Sequence, residues 1–250
     1  MIKISIITPS VRPKAMWLPA RALEEQTFPH DEFEWIITSP DKRINSTPIG
    51  WDDIPIKFLA DPPKPEGYAW TLNRAYNQAT REAGGELIVS LQDATYFDPE
   101  GLEKFWYYYT HGYDKALISG VGHKYADESW KQITWQDPRA RTDQGTFYPC
   151  TWTDIEFNYC AVPKTALYAV GGFDEELDRW FGMDHISVQE RLLDIGGWDF
   201  CLDQTNHSYS LEHGRLPNWE KNHALKGAYM ERKAELQAKG EWPILEFLLK

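Results

Sequence analysis

Residues 71–93 read TLNRAYNQATREAGGELIVSLQD. Thr71 to Ala83 has the make-up of a helix, and Gly84-Gly85 ends it. Glu86 to Leu91 is a short apolar run of the kind that fills a strand buried on both faces. It stops abruptly in a polar turn, Gln92-Asp93. A helix feeding such a strand through a tight glycine pair is part of a βαβ unit, and sheets built from these units are covered by helices on both sides.

Upstream the same alternation repeats. Ile2 to Thr8 predicts a buried first strand ending at Pro9-Ser10, and Ala15 to Gln26 carries apolar positions at helical spacing. Phe33 to Thr38 is a second strand, stopped by Ser39-Pro40-Asp41, and Ile56 to Leu59 a short third one. The order predicts an α/β fold with a mostly parallel central sheet flanked by helices. Ligands of such sheets sit beyond the carboxyl ends of the strands, so Pro9-Ser10, Ser39-Pro40-Asp41 and Gln92-Asp93 are expected to converge on one nucleotide-sized crevice.

Downstream the pattern is less regular. Pro99 to Tyr109 reads as a helix, Ala116 to Gly122 as a strand, and Asp127 to Thr153 as a long stretch rich in Trp, Gln and Asp, expected to be a lid or to hold short strands. Ile155 to Val162 reads as a strand, Pro163 to Val170 and Ile186 to Ile195 as helices, Phe200 to Leu211 as extended, and Pro217 to Ala238 as a charged helix. Glu246 to Lys250 reads as a trailing end. No repeat, linker or charge block divides the chain. The expected partition is a single domain over 1–250, with a nucleotide half (1–98), an acceptor and catalytic half (99–215) and a helical tail (216–250).

The net charge of −12, from 38 acidic and 26 basic residues, argues against general nucleic-acid binding, which needs a basic surface. Cys150, Cys160 and Cys201 are sparse and odd in number, which reads as reduced thiols and not as a disulfide frame or zinc site. The N-terminus lacks the sections of a signal peptide, and no apolar run approaches a membrane span of about 20 residues. The expectation is a cytoplasmic protein without a transmembrane segment. The 12 Trp, 13 Tyr and 11 Phe exceed what packing alone suggests and favour a ligand with flat apolar faces.

Two places carry chemistry. Asp93, just past a buried strand, is placed either to cap its turn or to hold a divalent cation, since Mg²⁺ and Mn²⁺ take oxygen ligands. Gly171-Gly172-Phe173-Asp174-Glu175, then Trp180-Phe181-Gly182-Met183-Asp184-His185 and Arg191-Leu192, put a carboxylate at the start of a helix, where it is either a cap or a base kept ionised by the helix dipole.

The ordered series of motifs resembles the family-2 glycosyltransferases of the GT-A fold. It is carried by Ile4-Ser5-Ile6-Ile7-Thr8-Pro9, by Gly67 with Asn73-Arg74, and by the strand ending Gln92-Asp93-Ala94 with Pro99 following. The segment from Asn158-Tyr159-Cys160 to Arg191-Leu192 is similar to the C-terminal acceptor region of galactosyltransferases, with Gly182 and Asp184 at the glycine and glutamate of its Trp-Gly-x-Glu-Asp signature. Two departures stand out. Only the middle residue of the Asp-x-Asp position is acidic here, and His185 replaces an acid.

The resemblance implies transfer of a sugar from a nucleotide sugar, a UDP-sugar by preference, onto a hydroxyl of a glycan or other acceptor, with inversion. It places Thr8, Pro9, Arg12, Asp41, Asn73, Arg74, Gln92 and Asp93 at the donor, and Asn158, Trp180 and Gly182 at the acceptor. Asp184 is the implied general base, and His185 could share the task, because imidazole titrates near neutrality. A divalent metal, Mn²⁺ or Mg²⁺, is implied on Asp93 with a C-terminal histidine. His207 and His213 lie on one side of an extended segment, and His213 is preferred. Arg12 and Arg74 offer the guanidinium fork for a diphosphate, although a solvated role suits Arg12 equally. A sugar-phosphate nucleotidyltransferase would need a glycine-rich loop after the first strand, and Ser10-Val11-Arg12-Pro13-Lys14 has no glycine. A non-catalytic nucleotide or glycan binder is the other alternative.

Overall fold

The computed structural model describes residues 1–41, 54–140, 145–180, 184–212 and 223–250, without the side chains of 184 and 223–225. Among the described residues a sheet of ten strands runs through both halves of the chain in the order β3-β2-β1-β4-β9-β6-β10-β5, with β7 beside β6 and β8 beside β10. The strands β1 (Ile4–Pro9), β2 (Phe33–Ser39), β3 (Ile56–Ala60) and β4 (Leu87–Leu91) are parallel neighbours. The strand β9 (Tyr159–Pro163) runs against β4 and β6 (Ala116–Tyr125), and β10 (Asp199–Leu211) returns parallel to β6.

Continuous apolar runs are needed because both faces of this sheet are covered. Ile4, Ile6, Trp35, Ile37, Val89 and Leu91 face one core, which includes Leu23 of α1 (Trp17–Glu24) and Phe105 of α3 (Gly101–Thr110). Ile7, Ile36 and Ile88 face the other, with Tyr76 of α2 (Leu72–Glu82), Leu167 of α4 (Lys164–Ala169) and Val188 of α5 (Asp184–Ile195). Each fully buried aliphatic or aromatic side chain contributes about 1.5–3 kcal/mol. Gly85 is required where β4 starts, since a Cβ there would lie 2.7 Å from the backbone of Ile4 and Ser5.

Two expectations are corrected and one is met. The ninth strand starts at Tyr159 and not Ile155, because a hydroxyl–carboxylate capping box of Thr151 and Asp154 turns the chain and Tyr159 N–H closes onto the Glu156 carbonyl. The long stretch after Asp127 contains β7 (Ile133–Gln136) and β8 (Phe147–Pro149), and β5 (Thr95–Phe97) is an edge strand too short to show a period. The C-terminal residues do not trail. Leu245 and Leu248 are buried, and their amides donate to the Val170 and Gly171 carbonyls. The last helix, α6 (His223–Lys239), is tied to α5 by Lys233 on Glu190 and to the turn before it by Arg232 on Asp174. Pro217 to Asn222 lie outside the described residues, and no described helix is long and apolar enough to cross a membrane.

Candidate active site

The ends of four parallel strands meet at one edge. Ser10 N–H donates to the Thr38 carbonyl, and Asp61, just past β3, donates its amide to Ser39. Ser10 Oγ donates to Asp93 Oδ2 at 2.6 Å, which joins the end of β1 to the end of β4. Asp41 N–H returns to Ser39 Oγ. These bonds bring Pro9-Ser10, Ser39-Asp41 and Gln92-Asp93, the turns expected to converge, together with Asp61, side by side at one edge of the sheet. Asp61 was not anticipated, although a carboxylate directly after a strand was the signal. It accepts from Thr71 Oγ1, and burial pushes its pKa up against that bond.

Asp93 already has partners on both oxygens. Arg12 grips it side-on, Nε to Oδ2 at 3.0 Å and Nη2 to Oδ1 at 2.6 Å, so that guanidinium, carboxylate and Ser10 hydroxyl form one unit. The next residue, Ala94, has φ of +55°, a left-handed conformation that costs a residue with a Cβ about 1–2 kcal/mol. Its amide is fixed to Ala15 and its carbonyl receives Leu211 N–H, which holds the turn open against that strain.

Other sequence-derived donor residues have inward partners. Thr8 Oγ1 accepts the Trp35 indole N–H at 2.9 Å. Asn73 and Arg74 both turn to Asp178, whose carboxylate takes the Asn73 and Arg74 amides, the Asn73 side chain and Arg74 Nη1. Asp178 thus caps the N-terminus of α2 from a distant segment, and burial, opposed by these donors, pushes its pKa up to about 6. A residue some hundred positions away leaves no local trace in sequence.

Gln92 N–H donates to the Asn158 carbonyl at 2.9 Å, and Asn158 Nδ2 donates to Glu156 Oε2. The exposed Asn158 and half-buried Glu156 line a cleft with Gly122, Lys124, Trp135 and Ser210. The same turn reaches α5, since Gln189 Nε2 donates to the Ile155 carbonyl and the His185 ring stacks on Phe157 at 6.0 Å. Ile155–Asn158 therefore bridges the end of β4 and the start of the helix that begins with Asp184. Trp180 is half-buried beside the 3-10 turn Glu175–Arg179. Gly182, His213 and the Asp184 side chain lie outside the described residues. Arg139, also unanticipated, underlies the cleft. It donates to Asp137, Ser119 Oγ and the Asp154 carbonyl, and although burial opposes its charge the Asp137 bond raises its pKa.

Of the residues implied as metal ligands, His213 lies outside the described residues, and the other two have partners within the chain. Asp93 is held by Arg12, and His207 faces Asp98, its Nδ1 at 3.2 Å from Oδ2. Among the described residues no group of three His, Cys, Asp or Glu side chains could hold a metal ion.

No protein-family model and no curated protein matches the sequence. Solved structures do. S. aureus TarS 1–349 in complex with UDP-GlcNAc superposes with a TM-score of 0.67 at 13% identity, over 86% of this chain and 60% of that one. The complex of the same fragment with UDP gives 0.65 at 14%, over 84% and 61%. A longer S. aureus TarS structure gives 0.60 at 16%, with 37% of it covered. The chain thus spans about 60% of the TarS 1–349 fragment, and the likeness shows the GT-A-type α/β fold expected from the sequence.

Proposed function

We propose that this chain is a glycosyltransferase that moves a sugar from a nucleotide sugar, a UDP-sugar by preference, onto a hydroxyl of a glycan or similar acceptor. The observation that carries this reading is the meeting of Ser10, Asp41, Asp61 and Asp93 at one edge of a sheet whose fold is that of TarS, a protein solved with UDP and with UDP-GlcNAc. In the proposed reaction Asp184 takes the proton of the acceptor hydroxyl as its oxygen attacks the anomeric carbon. The bond to the diphosphate breaks with inversion, and the nucleoside diphosphate leaves. The galactosyltransferase-like register belongs to the same proposal, with Trp180 and Asn158 beside the acceptor and His185 next to the base.

The test is a thermal-shift panel of nucleoside diphosphates and nucleotide sugars, followed by donor turnover. A UDP species at a hundredfold its Kd is expected to stabilise the fold by roughly 2.7 kcal/mol and so to raise the melting temperature. A panel in which no nucleotide shifts the transition rejects the reading. The Arg12–Asp93 lock favours a second reading, a non-catalytic nucleotide or glycan binder. Stabilisation by a UDP-sugar with neither transfer nor hydrolysis for any acceptor offered would select it.

A further inference from the structure

The resemblance gives Asp93 to a metal, but in the structure that carboxylate already holds a cation. Its side chain is only 3% exposed, both oxygens accept from Arg12, and Ser10 completes the set. A divalent ion at Asp93 would have to compete with a bidentate guanidinium, the strongest pairing a carboxylate makes with a side chain. The neighbouring positions offer no help, since Gln92 and Ala94 replace the flanking acids.

Arg12 is also placed to do more than neutralise. A guanidinium has five N–H donors in a rigid fork, and the side-on contact with Asp93 takes two of them. The Arg12 side chain keeps 31% of its surface open, and no other acceptor for its guanidinium occurs among the described residues. It lies beyond the carboxyl end of β1, on the loop between that strand and the turn Pro13–Ala15. Arg12 N–H bonds Ser10 Oγ, so backbone and side chain of this residue are both fixed to the same unit.

We propose that Arg12, clamped on Asp93, is the resident cation of the diphosphate subsite: its remaining donors bind the phosphate oxygens, and nucleoside diphosphate binding needs no divalent metal. Asp93 then acts as the positioning residue that orients the fork, with Ser10 behind it. This rests on the nucleotide-sugar reading above and specifies how that site holds its anion.

The experiment measures UDP binding to the full chain by calorimetry, in EDTA and in Mn²⁺. Wild type is expected to bind UDP with closely similar Kd in both. Arg12→Ala is expected to weaken binding in EDTA by about tenfold or more, the scale of charge-assisted hydrogen bonds to an anion. Because Arg12→Ala strands a buried carboxylate and could unfold the chain, Arg12→Lys is measured beside it. It keeps the charge, loses the fork, and is expected to weaken UDP binding in EDTA severalfold. UDP binding by wild type that disappears in EDTA overturns the proposal and leaves the nucleotide reading standing, as does undiminished affinity in a folded Arg12 variant. Absence of UDP binding in both conditions rejects the nucleotide reading itself, and this proposal with it.

Discussion

Arg191 Nη2 donates to the carbonyl of Gly172 at 2.6 Å from a position with no solvent exposure. Nη1 of the same guanidinium reaches the Val170 carbonyl, also at 2.6 Å, and Nε the Ser187 carbonyl. The Arg-Leu pair that marks the acceptor segment in sequence is thus a clamp that fixes the Gly171-Gly172 turn to α5. Burial pulls the guanidinium down to about 10, which leaves it charged at neutral pH.

Removing that clamp leaves the Gly172 carbonyl without its donor and a cavity beside it. Arg191→Leu is expected to cost about 2–4 kcal/mol, since each orphaned buried acceptor costs about 1–3 kcal/mol. Arg191→Lys should recover less than half of this, because one ammonium cannot span two carbonyls. Urea denaturation monitored by tryptophan fluorescence measures both.

The turn also receives the C-terminus. Gly171 has φ of +73°, and a Cβ there would fall 1.5 Å from the Leu245 carbonyl oxygen. Gly240 has nearly the same φ, +71°, but open space around it. Gly240→Ala should therefore cost only the left-handed penalty of about 1–2 kcal/mol. Gly171→Ala should cost more and release the last residues. Hydrogen exchange at the Leu245 and Leu248 amides is expected to accelerate in Gly171→Ala alone, and equal exchange in the two variants refutes this docking.

Asp98 couples acid stability to the pairing of β5 with β10. Burial works against its charge, but the His207 ring and amide and the Tyr209 hydroxyl prevail and hold its pKa below 3.8. A lowered carboxylate stabilises the fold fully above the unfolded value, and that contribution is lost as pH falls through the folded one. Asp98→Asn should cost about 1–3 kcal/mol at pH 7, the range for hydrogen bonds to a charged group, and the gap to wild type should close below pH of about 3.8. A gap that stays constant from pH 7 to acid contradicts the assignment.

The parallel half was legible because its signals are local. Apolar runs such as Phe33–Thr38 name a strand buried on both faces, and the polar residues that stop them name the crevice. What stayed hidden is pairing. Arg12, Asn73, Arg74 and Asp93 were each recognisable as polar residues near a strand or helix end, yet nothing local says that Arg12 meets Asp93 or that Asn73 and Arg74 share Asp178. Likewise Leu245 and Leu248 are two apolar residues in a polar tail until the glycine backbone that receives them is in view. Distant partners decide whether a charged side chain serves a ligand or the fold, and periodicity carries no information about them.

The proposed division of labour between Asp184 and His185 rests on the same distinction. The helix α5 opens at Asp184, the base of the proposed reaction, whereas the His185 ring is stacked on Phe157 and thereby engaged with the Ile155–Asn158 turn. Asp184→Asn is expected to lower donor turnover by about 10²–10⁴-fold, the usual worth of a general base, with UDP affinity unchanged. His185→Ala removes one ring from the turn that also carries Asn158, so its smaller loss should fall on acceptor KM more than on kcat. Turnover that survives Asp184→Asn and fails in His185→Ala would move the base to the imidazole. The pH profile then separates the two cases, since an imidazole base switches activity on near pH 6.5 and a carboxylate base about two units lower.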